Sequence, residues 1–186
     1  MILRPDREDR LVAGYAALAI VIHVLEAGFP SPVPGVKPGL ANVITLIVLL
    51  RYSLRLAIWV ALLRVLVGSL LVGSFMAPGF WLSAAGAVAS LVALALATLW
   101  NRVLPVLRLS ALGLSVVAAL AHMAGQFALA WGWFVPHAGL LHLLPALMSA
   151  ALLFGLVTGS AAAAVLRRLP PVLPAATVRP DDTARP

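Results

Sequence analysis

The sequence predicts an all-α, polytopic membrane protein with six transmembrane helices, both termini on the cytoplasmic side and a proline-rich external loop between the first two spans. Three observations carry this. Apolar residues make up 63% of the 186-residue chain and charged residues 10%, against roughly 25% charged in an ordinary soluble domain. Apolar runs near the ~20 residues needed to cross a bilayer recur along the chain. The Lys and Arg residues between these runs fall in alternate connections. A protein of this size in water must cover itself with polar groups, and 13 basic and 6 acidic side chains cannot do so. Lipid tails remove that requirement.

The candidate spans are residues 11–28, 39–50, 54–76, 80–100, 109–134 and 140–166. Between the first two, residues 29–38 hold Pro30, Pro32, Pro34 and Pro38. Proline removes a backbone donor and disfavours helix at the preceding residue, so this stretch is read as irregular. The second run is short for a span. It is either a tilted helix or a half-helix whose start is embedded. Residues 1–10 are read as a cytoplasmic segment, 11–168 as one six-helix domain, and 169–186, rich in proline, as a disordered cytoplasmic tail. The polar start does not resemble a cleaved signal peptide. No repeat of fixed period is evident.

Charge placement supports the count. Arg4, Arg7 and Arg10 precede the first span; Arg51 and Arg55 follow the second; Arg102 and Arg108 follow the fourth; Arg167 and Arg168 follow the sixth. The third and fifth connections carry no Lys or Arg, and the first carries only Lys37. Without the short second span, Arg51 and Arg55 would fall on the wrong side. The net charge of +7 therefore reads as topology, in a bacterial cytoplasmic (inner) membrane, and not as a nucleic-acid surface. No cysteine is present, which excludes disulfides and thiolate chemistry. No Gly-rich phosphate loop followed by Lys-Ser/Thr occurs, so the chain cannot itself power ATP-driven transport. Asp181 and Asp182 form a lone acidic pair in the tail, whereas a prenyl-diphosphate synthase needs two such clusters to hold Mg²⁺. No catalytic set, metal site or cofactor is expected, and the reading leans away from an enzyme.

The informative residues are polar groups inside apolar runs. An ionised side chain at a span centre costs roughly 2.5–3.5 kcal/mol on insertion scales. Arg64 lies halfway along the third span and Glu26 near the end of the first, with Lys37 in the proline-rich segment. If the three share a cavity, one positive charge is left for an anionic ligand. Alternatively, Glu26 pairs with a cation for structural reasons and the spare cation reaches the headgroups. His122 and Gln126, four apart, share one helix face. They suit a ligand or a plain interhelical hydrogen bond, and are too few for a normal metal set. His23 lies one turn before Glu26 and joins that cluster or bonds a neighbouring carbonyl. Asn42 and Thr45 open the second span, where free N–H groups and the helix dipole favour an anion. His137 and His142 are read as interfacial. Gly155 with Gly159, and Gly68 with Gly73, are read as close-packing devices, and Trp81, Trp100, Trp131 and Trp133 as an aromatic belt.

Glu26 followed by Pro32-Val33-Pro34-Gly35-Val36-Lys37-Pro38-Gly39-Leu40-Ala41-Asn42 resembles the hallmark of the Gx transporter family, also labelled heptaprenyl diphosphate synthase component I. The likeness continues through Arg64-Val65-Leu66, Gly73-Ser74-Phe75, Leu82-Ser83 with Gly86, Gly113-Leu114-Ser115-Val116, Ala121-His122 with Gly125-Gln126, Leu144-Pro145, and Gly155 with Thr158-Gly159. It departs at Met123, where the pattern has a polar Asn. That family is similar to the substrate-binding S components of energy-coupling factor transporters. The resemblance implies capture of a small, anionic molecule in an outward-facing pocket lined by Glu26, Lys37, Asn42 and Arg64, with His122 and Gln126 facing them. Lys37 and Arg64 would hold the anionic part of the ligand, and Asn42 would orient it. It implies as partners the lipid bilayer, a small-molecule ligand, and separate ATPase and transmembrane coupling subunits or a redox partner. Two other readings stay open: a membrane component of quinone/flavin electron transfer, and a non-catalytic subunit linked to heptaprenyl diphosphate synthesis.

Overall fold

The computed structural model describes residues 6–28 and 41–170. These residues are helical or in connections, with no strand among them. Six α-helices follow one another: α1 (Arg7–Gly28), α2 (Ala41–Arg51), α3 (Leu54–Val72), α4 (Pro78–Val103), α5 (Ala111–Leu129) and α6 (Leu144–Arg168). A single π-type turn, Ala130–Phe134, prolongs α5, and a 3-10 segment, Ala138–Leu143, leads into α6. Among the described residues four stretches are long and apolar enough to cross a membrane: Leu54–Val72, Pro78–Val103, Ala111–Phe134 and Ala138–Arg168. The proline-rich segment with Lys37, residues 1–5 and most of the expected tail lie outside the described residues.

The helix ends correct the sequence reading where capping chemistry outweighs hydropathy. α1 begins at Arg7, inside the segment read as a polar terminus. Asp6 and Asp9 cap it reciprocally: the Asp9 N–H donates to Asp6 Oδ1 at 2.8 Å and the Asp6 N–H to Asp9 Oδ2 at 3.0 Å, satisfying two orphan donors of the first turn. α3 stops at Val72, short of the expected 76. Gly73 takes a left-handed conformation with φ 72°, its N–H returning to Ser69 and Leu70 carbonyls, and the Ser74 N–H donates to the Ser69 carbonyl at 2.9 Å. This is a glycine C-cap. Gly73 is therefore a stop signal and not a packing device: a Cβ there would touch nothing within 4 Å. α4 is longer than expected because Pro78 sits at its start, where the missing N–H costs nothing.

α2 explains why its run was short. Residues 44–49 are all buried, and the helix contacts α1, α3, α5 and α6. A helix apolar on every side belongs in the interior. Its 11 residues rise only about 16 Å, half of a ~30 Å hydrocarbon core. Ile47 and Val48 from α2, Ala57 and Val60 from α3, Leu114 from α5 and Ala162 from α6 form the centre of the core around it.

Small residues set the spacing of the later helices. A Cβ on Gly155 would lie 3.0 Å from Val116 Cα, and one on Gly159 3.0 Å from Leu112 Cα, so α5 and α6 approach at backbone distance, as expected of this glycine pair. Ser115 and Thr158 share a buried hydroxyl hydrogen bond of 2.8 Å across the same seam. The outer surface is apolar. Leu18, Val21, Leu71, Val92, Leu96 and Leu153 are all exposed, a continuous hydrophobic exterior that a bilayer covers. Trp81, Trp100, Trp131 and Trp133 are exposed near helix ends.

One end of the bundle gathers the arginines. Tyr15 and Tyr52 hydrogen-bond at 3.2 Å, Glu8 and Arg55 pair at 3.8 Å, and Arg51 donates to the Pro170 carbonyl. These contacts bring the start of α1, the α2–α3 connection and the end of α6 together. Arg102, at the end of α4, and Arg108 belong to this end too, because the start of α5 lies against the later turns of α6: a Cβ on Gly159 would stand 3.0 Å from Leu112 Cα. Among the described residues only Arg64 stands apart from it.

Candidate functional site

The half of the bundle away from the arginines is hollow. A cavity of about 220 Å³ lies between all six helices. Glu26 reaches it from the last two turns of α1, Asn42 and Thr45 from the start of α2, Arg64 from α3, and His122 and Gln126 from α5. Five of the six residues expected to bind a ligand thus line one space; the sixth, Lys37, is outside the described residues. His23 also lines it. Its ring occupies the space left by Gly68, where a Cβ would come within 2.7 Å of Cδ2. Gly68 is small to seat a histidine, not to bring two backbones together. His137 and His142 are exposed, in keeping with an interfacial position.

The local architecture explains why these groups meet. α2 is half-length, so its first turns end beneath the neighbouring helices and leave a space that Thr45 and Asn42 face. Arg64 is 7% exposed and Glu26 7%, and both line the same cavity. Burying either charge without the other would cost several kcal/mol. Even so, the polar groups are not mutually satisfied. Thr45 Oγ1, Arg64 Nε and His122 Nδ1 are buried atoms with no hydrogen-bond partner among the described residues. Most buried polar atoms in native proteins do have one. All three residues line the cavity.

Hydroxyls line the cavity as well. Ser83 and Ser90 of α4, Ser115 of α5 and Thr158 of α6 contribute hydroxyls, set among Leu82, Leu94, Met123 and Phe154. Ser90 was not among the residues that sequence reasoning singled out, and Ser83, Ser115 and Thr158 entered only through the family resemblance. A signal was present: Ser83, Gly86 and Ser90 recur at i, i+3 and i+7, which places small polar groups on one helix face. Gly86 shapes the site directly. A Cβ on it would fall 2.7 Å from His122 Nε2 and 2.8 Å from Gln126 Cγ. Gly86→Ala is expected to push both side chains into the cavity. Because both contacts are with side chains and not backbone, thermal stability should fall by only about 1 kcal/mol, the low end for overpacking, while ligand affinity falls at least about tenfold, roughly 1.4 kcal/mol. Paired melting and binding titrations check this split.

Among the described residues no three His, Asp or Glu side chains come together. The cavity combines a buried cation and anion with neutral donors, hydroxyls and apolar side chains.

An all-helical protein with membrane-spanning helices packed around a polar internal cavity is thus defined by its own geometry. The chain belongs to the heptaprenyl diphosphate synthase component I family, whose model matches residues 15–165. No curated protein and no solved structure matches.

Proposed function

We propose that this chain is a bacterial inner-membrane transport or substrate-capture protein that binds a small anionic molecule in the cavity between its six helices. The observation that carries the reading is Arg64: a buried guanidinium on the wall of a 220 Å³ space, whose Nε has no partner among the described residues. Keeping such a group at the middle of a span is expensive. A ligand that supplies an acceptor and a negative charge offsets that expense. A half-length helix beside the cavity suits this too, since broken helices in transporters place free helix ends at substrate sites. Resemblance to substrate-binding components of energy-coupling factor transporters points the same way, with ATP hydrolysis left to separate subunits.

In this reading α1 and α2 complete six spans, and the arginine end is cytoplasmic. A reporter fused after Arg55 or after Arg108 is expected in the cytoplasm; periplasmic activity at either point contradicts the topology. The family description favours a second reading, a non-catalytic subunit of prenyl-diphosphate synthesis, which co-purification with a soluble aspartate-rich synthase would support.

The decisive experiment is mass spectrometry of small molecules that travel with the detergent-purified protein. One defined anionic compound, near one per chain and displaced on denaturation, is the expected result. A preparation that carries none, and that binds no molecule saturably from a cell extract, removes the capture reading.

A further inference from the structure

A second space of about 160 Å³ adjoins the central one. It lies at the end of the bundle away from the arginines, where α3 gives way to α4. Ser69 of α3, Ser74 of the connection, and Phe80 and Ser83 of α4 line it, with His23 of α1. The two spaces have His23, Val65, Gly79 and Ser83 in common. A residue that lines both stands on the boundary between them, so the spaces are neighbours. Each far exceeds the ~10–15 Å³ that one water molecule needs.

Other described seams around the central cavity are closed. Between α4 and α5 a Cβ on Gly125 would stand 2.8 Å from the Ala85 carbonyl oxygen, and between α5 and α6 one on Gly155 would stand 3.0 Å from Val116 Cα. Between α1 and α3 the His23 ring fills the place left by Gly68. Towards the arginines the core around Ile47, Val48, Ala57 and Val60 blocks the way. α3 and α4 do touch, through Val65, Phe80 and Ala87. Beside that contact the seam is open at Gly79, which is exposed and lines both spaces. A Cβ built there would touch nothing within 4 Å.

The walls of the second space suit passage more than retention. Among its described lining residues none is Lys, Arg, Asp or Glu, whereas Glu26 and Arg64 line only the central cavity. The Ser69 hydroxyl is already satisfied by the Leu66 carbonyl of its own helix, at 2.8 Å. Serine hydroxyls and an imidazole make a wall that water wets, and such groups in a span face protein or a water-filled space.

We infer that the second space is the vestibule by which a small water-soluble molecule reaches the central cavity, passing between the ends of α3 and α4, over Gly79 and beside the His23 ring. This rests on the capture reading above and gives it a route.

The sequence holds no cysteine, so one introduced thiol is the sole target of a thiol reagent. Met123→Cys places it in the central cavity, at a residue that does not line the vestibule. Full-length protein in sealed, right-side-out membrane vesicles is treated from outside with sulfonatoethyl methanethiosulfonate, a small charged reagent that does not cross lipid, and modification is followed by mass spectrometry. The thiol is expected to react. Ser74→Trp, which fills the vestibule alone, and Gly79→Trp, which fills the shared boundary, are each expected to slow the reaction at least about tenfold, because a blocked route raises the barrier to every encounter. Gly132→Trp is the control. It sits at the same end of the bundle, a Cβ there also touches nothing within 4 Å, and it lines neither space; the rate should not change. Loss of the fold would expose the thiol and speed the reaction, so slowing cannot come from misfolding. If one plugged protein fails to melt like its parent, the other decides. A thiol that does not react from outside, a plug that leaves the rate unchanged in a protein that melts like its parent, or equal slowing by Gly132→Trp each overturns the vestibule. The capture reading is judged separately by the co-purified molecule: an inaccessible thiol in a protein that carries one defined compound removes the route and leaves capture standing.

Discussion

Arg64→Ala is expected to abolish ligand retention while the protein remains folded in detergent. Truncating one partner of a buried, hydrogen-bonded charge pair costs roughly 2–5 kcal/mol of binding. A loss of about 3 kcal/mol is more than a hundredfold in affinity. The effect on folding should be smaller, because two terms oppose each other. Removing Arg64 leaves the buried Glu26 with less compensation, which destabilises. It also removes a buried donor that has no partner among the described residues, which stabilises. A double variant, Glu26→Gln with Arg64→Met, separates the two. It removes both charges and keeps much of the volume, so its melting temperature should match or exceed that of the parent while binding stays lost. The checks are the quantity of co-purified molecule, saturation binding and a melting curve for each variant. Unchanged binding by Arg64→Ala would take the residue out of the site. Binding retained by the double variant would show that the charge pair is structural only.

How much of this was readable in advance follows from what each residue costs in a membrane. Arg64 and Glu26 could be found because ionised groups inside apolar runs are expensive and must face one another or a cavity. His122 and Gln126 could be placed on a common face by their spacing of four. α2 was kept only because Arg51 and Arg55 required a span before them, and the structure places a helix there, at the centre of the bundle. The serines were not legible, because a hydroxyl costs little and can satisfy itself locally. Ser69 shows why: it donates to the Leu66 carbonyl of its own helix at 2.8 Å, whereas Ser115 reaches across to Thr158, and sequence does not separate the two cases. Helix ends were misjudged for the same kind of reason. Gly73 sits inside an apolar run and stops α3 through its backbone conformation, and Asp6 with Asp9 starts α1 inside a polar stretch. Gly68 was read as a contact between helices but makes room for the His23 ring. Hydropathy does not register any of these three.

Gly125→Leu is the substitution expected to damage the fold most. Its site is on α5, and a Cβ built on Gly125 would stand 2.6 Å from Ala89 Cβ and 2.8 Å from the Ala85 carbonyl oxygen of α4. The second contact is with backbone, so no side-chain rotation relieves it, in contrast with Gly86. Either the helices separate or α4 bends. Without water to drive helices together, close packing by small residues is what holds such a seam. Overpacking in tight cores costs 1–3 kcal/mol and sometimes more, and the loss here is expected at about 3 kcal/mol. The cavity would suffer with the seam, because Ser83 on α4 and Gln126 on α5 flank this contact and both line it. Gly125→Ala should be intermediate, since only the Cβ itself must be accommodated. The measurement is the denaturant midpoint in mild detergent, together with ligand binding at a temperature where the variant is still folded. A Gly125→Leu protein with parental stability would mean that α4 and α5 do not approach at backbone distance, and the outline of the cavity would then have to be redrawn on that side.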